Sequence, residues 1–164
     1  MIDIDRLIQE TIKERSQITE DSPDHIKDTN KYRLKVYRNL KSAILNYKTS
    51  KKAKEYNDVA EHELIENLIV QCLEQVSNAK KASRDDLILD ADRELIILYS
   101  LAPDVPNRLT IEDSYKTWRE NFETSEEFPK ISKKDIGNAT KGIKSLLPNC
   151  NDKLIREIVK SYAV

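Results

Sequence analysis

An all-α fold follows from three features of this 164-residue sequence. Two glycines and five prolines leave little material for tight turns, and no Asn-Gly or Asp-Gly dipeptide occurs to nucleate a hairpin. Charged residues make up 35% and hydrophobic residues 38%, with aromatics at only 6%, the mixture of a helical protein with an aliphatic interior and long solvated faces. Apolar residues also recur at three- and four-residue intervals in one segment after another.

Ile4, Leu7, Ile8 and Ile12 predict a first helix that ends near Ser16. The next stretch, SQITEDSPDHIKDTN at 16–30, is polar, aperiodic and carries Pro23, so it is expected to be a loop or flexible insertion. A second helix runs from about Lys31 with Leu34, Tyr37, Leu40, Ile44 and Tyr47 on one face, and a third from about Asp58 to Ala82 with Ile65, Leu68, Ile69, Cys72, Val76 and Ala79. Ser83-Arg-Asp-Asp86 has the form of a capping box and opens a fourth helix, whose stripe is Ile88, Ala91, Leu95, Leu98 and Tyr99. LAPDVPN, with Pro103 and Pro106, stops that helix and marks the domain boundary between an N-terminal helical domain at 1–103 and a C-terminal domain at 107–164.

Three helices are expected beyond the boundary. Thr110-Ile-Glu-Asp113 is a second capping box, ahead of Ile111, Tyr115, Trp118 and Phe122 on one side. Ser132-Lys-Lys-Asp135 is a third, opening a helix that buries Ile136, Ala139, Ile143, Leu146 and Leu147. Pro148-Asn-Cys-Asn151 interrupts, and a last helix carries Leu154, Ile155, Ile158, Val159 and Tyr162.

Several function classes find no support. No apolar run approaches the roughly 18 to 20 residues that span a bilayer, and MIDIDRLIQE lacks the order of a signal peptide, so a cytoplasmic protein without a membrane role is expected. Cys72 on an apolar stripe and Cys150 in a polar turn read as free thiols. His25 and His62 lack chelating partners and read as surface residues, so no metal or other cofactor is expected. Glu61, Glu63, Glu66, Glu112, Glu126 and Glu127 read as solvated faces or loops, and neither a phosphate-cradling glycine loop nor a nucleophile elbow occurs. The residues by themselves point to no catalytic site.

Charge is the informative property. Residues 31–54 carry +9 and residues 129–164 carry +5, whereas 1–30, 55–84 and 85–128 carry −4, −3 and −8. On the second helix Lys31, Lys35 and Arg38 fall on one side, continued by Lys41, Lys48 and Lys52. Two readings stay open: a polyanion neutralises these cations, or neighbouring acidic helices do. Tyr32, Tyr37 and Tyr47 are candidates for stacking on bases, although Tyr37 and Tyr47 lie on the core stripe.

Both glycines fall in KDIGNATKGIKSLLP at 134–148, although helical glycine costs roughly 1 kcal/mol. On a helical wheel Gly137 lies in a stripe with Lys133, Lys134, Lys141 and Lys144, opposite the aliphatic face, while Gly142 lies near Ala139 and Leu146. Gly142 is expected to admit a tightly packed neighbour. Gly137 marks either a weak point at the helix start or a place where a phosphate or sugar approaches the backbone. The last helix repeats the plan with Lys153, Arg156 and Lys160 on one face, so the two helices are expected to present one cationic surface.

These stretches carry a family resemblance. KDIGNATKGIKSLLP followed by NDKLIREIVKSY resembles the C-terminal signature of the GatB/YqeY family, and SRDDL, ELIILYSLAP, LTIEDS and YRLKVYRNLKSAI resemble its upstream motifs in the same order. Gly137 and Gly142 stand one residue further apart than in the family pattern, and the turn after Pro148 lacks the family's glycine. The resemblance implies that 107–164 is a three-helix domain similar to the tail of the B subunit of the tRNA-dependent amidotransferase, a tail that contacts the tRNA elbow. It also implies the family label of a carbon–nitrogen ligase with glutamine as amido donor.

The expected function is therefore that of a tRNA-binding accessory protein, with tRNA or a tRNA–protein complex as partner and an amidotransferase or aminoacyl-tRNA synthetase as associated enzyme. Lys134, Gly137, Lys141, Lys144, Lys153, Arg156 and Lys160 are the expected RNA contacts, and Lys31, Lys35, Arg38 and Lys41 extend the track. The alternatives are a module whose basic faces dock an acidic protein, or its own 85–128 segment in a dimer, and a ligase acting in trans.

Overall fold

Aliphatic periodicity places the helices. The computed structural model describes residues 1–50, 55–120 and 131–163, and among them the chain forms α1 (Ile4–Ser16), α2 (Asp24–Thr49), α3 (Asp58–Lys81), α4 (Asp85–Leu101), α5 (Arg108–Glu120), α6 (Ile136–Leu146) and α7 (Asp152–Lys160). A 3₁₀ turn at Lys133–Asp135 leads into α6. No strand occurs among the described residues; one isolated parallel bridge joins Ile131 to Ala163. The fold is all-α.

The centre of the packing is α3, flanked by α4, α2 and α7, while α1 lies on α2 and α5, α6 and α7 pack on one another. Leu40, Ile69, Ile111, Ile143, Leu154 and Ile155 are at 0% exposure in a core cluster that runs through both halves of the chain. Each such side chain contributes roughly 1.5–3 kcal/mol. Asn151 joins α7 to this centre: its Oδ1 accepts from the Lys153 amide at 2.8 Å, capping the helix, while its Nδ2 donates to Glu66 on α3 at 3.1 Å.

The structure departs from sequence expectation at several places, each for a local reason. Residues 24–30 are helical, so the 16–30 stretch is a loop only in its first part. Pro23 sits at the N-cap with φ −56°, where its missing amide proton costs nothing, and the exposed first turns of α2 need no apolar stripe. Thr11 is buried and Ile12 is 41% exposed, because the face of α1 that meets α2 includes Thr11, whose backbone carbonyl accepts from the Asn30 side-chain Nδ2 at 2.9 Å. Leu146 is likewise 46% exposed at the last turn of α6. Glu61 and Glu66 are buried rather than solvated. Glu61 accepts from the Ile2 amide at 2.8 Å and from the Tyr56 hydroxyl at 2.8 Å. Cys150 is fully buried, and burial pushes the thiols of Cys72 and Cys150 up to about 11, which leaves them unreactive at neutral pH. Phe122, Glu126 and Glu127 lie outside the described residues.

Two capping boxes also resolve differently. Ser83 does not open α4; it ends α3. Its φ of 53° is left-handed, its amide donates to the Lys80 carbonyl at 3.2 Å, and the Arg84 amide donates to the Ala79 carbonyl at 3.0 Å, which is the Schellman arrangement. At α5 the cap is Asn107, whose side chain accepts from the Thr110 amide at 3.0 Å, so the helix begins before Thr110. Ser132 does act as a cap, accepting from the Lys134 amide at 3.3 Å.

Gly142 is where a side chain has no room. A Cβ there would stand 2.0 Å from Nε1 of Trp118, whose indole from α5 lies directly on the α6 backbone. Trp118 is tilted against Tyr115, which stacks on Tyr162 at 4.9 Å between ring centroids, and these rings join α5 to the end of α7. Gly142 thus fulfils the packing role expected of it.

Two substitutions test these assignments. Ser83→Gly relieves a left-handed residue and is expected to raise stability by about 1 kcal/mol in denaturant titration. Gly142→Ala forces the indole away and is expected to cost about 1–3 kcal/mol, with a change in the emission of the chain's only tryptophan.

Candidate nucleic-acid interface

The last two helices expose their cations because their aliphatics are buried. Leu154, Ile155, Ile158 and Val159 occupy the inner face of α7, leaving Lys153, Arg156 and Lys160 outside; Ala139, Thr140 and Ile143 do the same for α6, leaving Lys141 outside and Lys144 half-buried. Gly137 lies in the first turn of α6, with exposed Lys133 and Lys134 just before it and Lys141 one turn beyond. A Cβ built at Gly137 meets nothing within 4 Å. Its surroundings are open, unlike those of Gly142.

Ion pairing sorts the expected contacts into two groups. Lys35 is paired with Glu94, which is only 5% exposed, and Lys41 lies 2.5 Å from Asp5. Lys144 reaches the Cys150 carbonyl at 2.5 Å and Asp152 at 3.0 Å, and Lys160 reaches Glu157 at 2.7 Å. These four cations are committed within the fold. Lys134, Lys141, Lys153, Arg156 and Arg38 are exposed and have no carboxylate partner among the described residues, while Lys31 lies over the Tyr32 ring at 5.4 Å. Acidic neighbours thus claim Lys35 and Lys41 of the basic second helix and leave Arg38 without a carboxylate partner among the described residues.

The aromatic candidates are occupied. Tyr32 and Tyr37 are 4% and 5% exposed, and the Tyr32 hydroxyl donates to Asp90 on α4. Tyr47 is half-buried edge-on against Tyr56 at 6.1 Å. Lys52 lies outside the described residues.

The cations of α6 and α7 do not all face one way. Lys153 lines a groove with Asn46 and Tyr47 of α2 and Asn67 and Gln71 of α3. Lys160 lines a second groove opposite Lys80 and Lys81, and neither groove includes Lys134 or Lys141. Sequence reasoning passed over Lys80 and Lys81; the signal was the Lys-Lys dipeptide closing the third helix, taken only as part of a helix end. The other missed residues are Glu66 and Asn151, whose pairing spans 85 positions and has no local signature.

Glu61, Glu66 and Glu94 each meet hydrogen-bond donors from other parts of the chain, and no group of three or more His, Cys, Asp or Glu side chains among the described residues is placed to hold a metal. No helix among them is long and apolar enough to cross a membrane.

Comparison with curated proteins and with solved structures gives no significant match. The family model described as Yqey-like protein matches residues 15–162. That span takes in α2 to α7 and all the cations of both groups, and the chain belongs to the Yqey-like protein family.

Proposed function

We propose that this protein binds tRNA, or a tRNA–protein complex, as an accessory of amidotransferase-like or aminoacyl-tRNA synthetase function. The observation that carries the reading is the set of exposed cations without a carboxylate partner among the described residues on the last two helices and the 3₁₀ turn that leads into them: Lys134, Lys141, Lys153 and Arg156. Unpaired like charges held on short rigid helices repel one another, and phosphate groups relieve that repulsion while releasing counterions. Gly137 adds an accessible backbone among three lysines, the feature that lets a sugar or phosphate approach closely. Lys144 and Lys160, and on α2 Lys41, exchange an internal partner for phosphate and contribute less, while Lys35 stays with buried Glu94. The family label of a carbon–nitrogen ligase using glutamine is read here as belonging to the enzyme that the protein assists.

The test is tRNA binding by the purified chain across a salt series. Engagement of the four unpaired cations predicts a log–log slope of about −3; absence of binding at low salt overturns the proposal, and retention of an acidic protein in place of RNA selects the protein-docking alternative. Gly137→Ala is expected to stabilise the fold by up to about 1 kcal/mol, since the site is open, while weakening RNA binding. Unchanged binding removes Gly137 from the interface.

A further inference from the structure

The groove between the C-terminal turns of α3 and α7 has a volume of about 530 Å³ and an unusual supply of idle donors. On its α3 wall stand Ser77, Asn78, Lys80 and Lys81, and none of these side chains makes a hydrogen bond or ion pair among the described residues. On the α7 wall stand Lys160, held 2.7 Å from Glu157, and Ser161, whose hydroxyl donates to the Ile158 carbonyl at 2.7 Å.

Lysines at a helix C-terminus often complement its exposed carbonyls. Here the Schellman turn does that work, since the Asn78, Ala79 and Lys80 carbonyls accept from the Ala82, Arg84 and Ser83 amides at 3.0–3.2 Å. The ammonium groups of Lys80 and Lys81 are left without an internal task. Two ammoniums, a hydroxyl and an amide along one wall of a groove supply the charge and the donor types that phosphate oxygens accept from. Two carboxylates line the groove: Glu157 on the α7 wall, neutralised by Lys160, and the exposed Glu74 on the α3 wall, which also borders the neighbouring groove that holds Lys153.

We propose that this groove is a phosphate-binding site in which Lys80 and Lys81 supply the charge, Ser77 and Asn78 the hydrogen bonds, and Glu74 limits affinity from one edge. The proposal rests on the RNA reading for the source of the phosphate, a phosphodiester of a bound strand. A free polyphosphate offers the same chemistry and is the competing source.

The experiment measures tRNA binding across salt, and separately pyrophosphate binding by NMR titration, for the native chain and three variants. These are Lys80→Ala/Lys81→Ala, Glu74→Gln and Lys134→Ala/Lys141→Ala, each checked for an unchanged unfolding midpoint. The proposal predicts a native salt slope of about −5, two beyond that of the four cations near and on α6 and α7; losing Lys80 and Lys81 returns it to about −3 and weakens tRNA binding at least tenfold, while Glu74→Gln tightens binding two- to fourfold. If Lys134→Ala/Lys141→Ala alone weakens binding, the groove is overturned and the RNA reading stands. If the native chain binds no tRNA but binds pyrophosphate in a manner abolished by Lys80→Ala/Lys81→Ala, the groove stands and the RNA reading falls. Binding of neither overturns both.

Discussion

A helix packed by neighbours on several sides cannot leave all of its carboxylates in water, and the architecture depends on how α3 meets that constraint. Glu61 and Glu66 on α3, and Glu94 on the adjoining α4, are each at most 6% exposed. A buried carboxylate without donors costs several kcal/mol. Each is instead matched by a group from a different part of the chain: the Ile2 amide and Tyr56 hydroxyl for Glu61, Asn151 for Glu66 and Lys35 for Glu94. The three acids serve as joints, fixing the entry to α1, the position of α7 and the approach of α2 to α4.

The same joints decide which cations are available. Lys35 belongs to the fold before it belongs to any ligand, because removing it strands Glu94 in the interior. Lys41 and Lys144 are held more loosely by exposed acids, and exposed pairs of this kind are worth little. Net charge over a sequence window therefore overstates the field that a polyanion meets. The cations left unpaired lie just before and on α6, on α7, at the end of α3 and, as Arg38, on α2, a distribution that the +9 of residues 31–54 does not convey.

Much of the fold was legible because it is written in local periods. The stripes Leu34–Leu40–Ile44, Ile65–Ile69–Val76 and Leu154–Ile155–Ile158 are buried as their spacing predicts. Element ends were less legible, because Ser83 and Thr110 carry the residue types of an N-cap without occupying that position. Ser83 is recruited to a left-handed turn that most chains give to glycine, and Asn107 outcompetes Thr110 by lying where α5 starts. Residues 24–30 were missed because an exposed helical turn has no apolar signature. Of the candidate interface, the lysines other than Lys80 and Lys81 were visible in the sequence; their sorting into paired and unpaired was not, since it depends on Asp5, Glu94, Asp152 and Glu157 arriving from other turns and helices.

Asn151 gives the smallest helix a larger meaning. At nine residues α7 is too short to persist in water unaided, and the amide that starts it is the amide that docks it on α3. Capping and docking thus share one side chain, and α7 keeps its helix through that contact and through its packing on α5 and α6. Its cations then exist as an ordered array only in the assembled protein, and occupancy of that array is thermodynamically linked to the integrity of the central helix some 85 residues earlier in the chain.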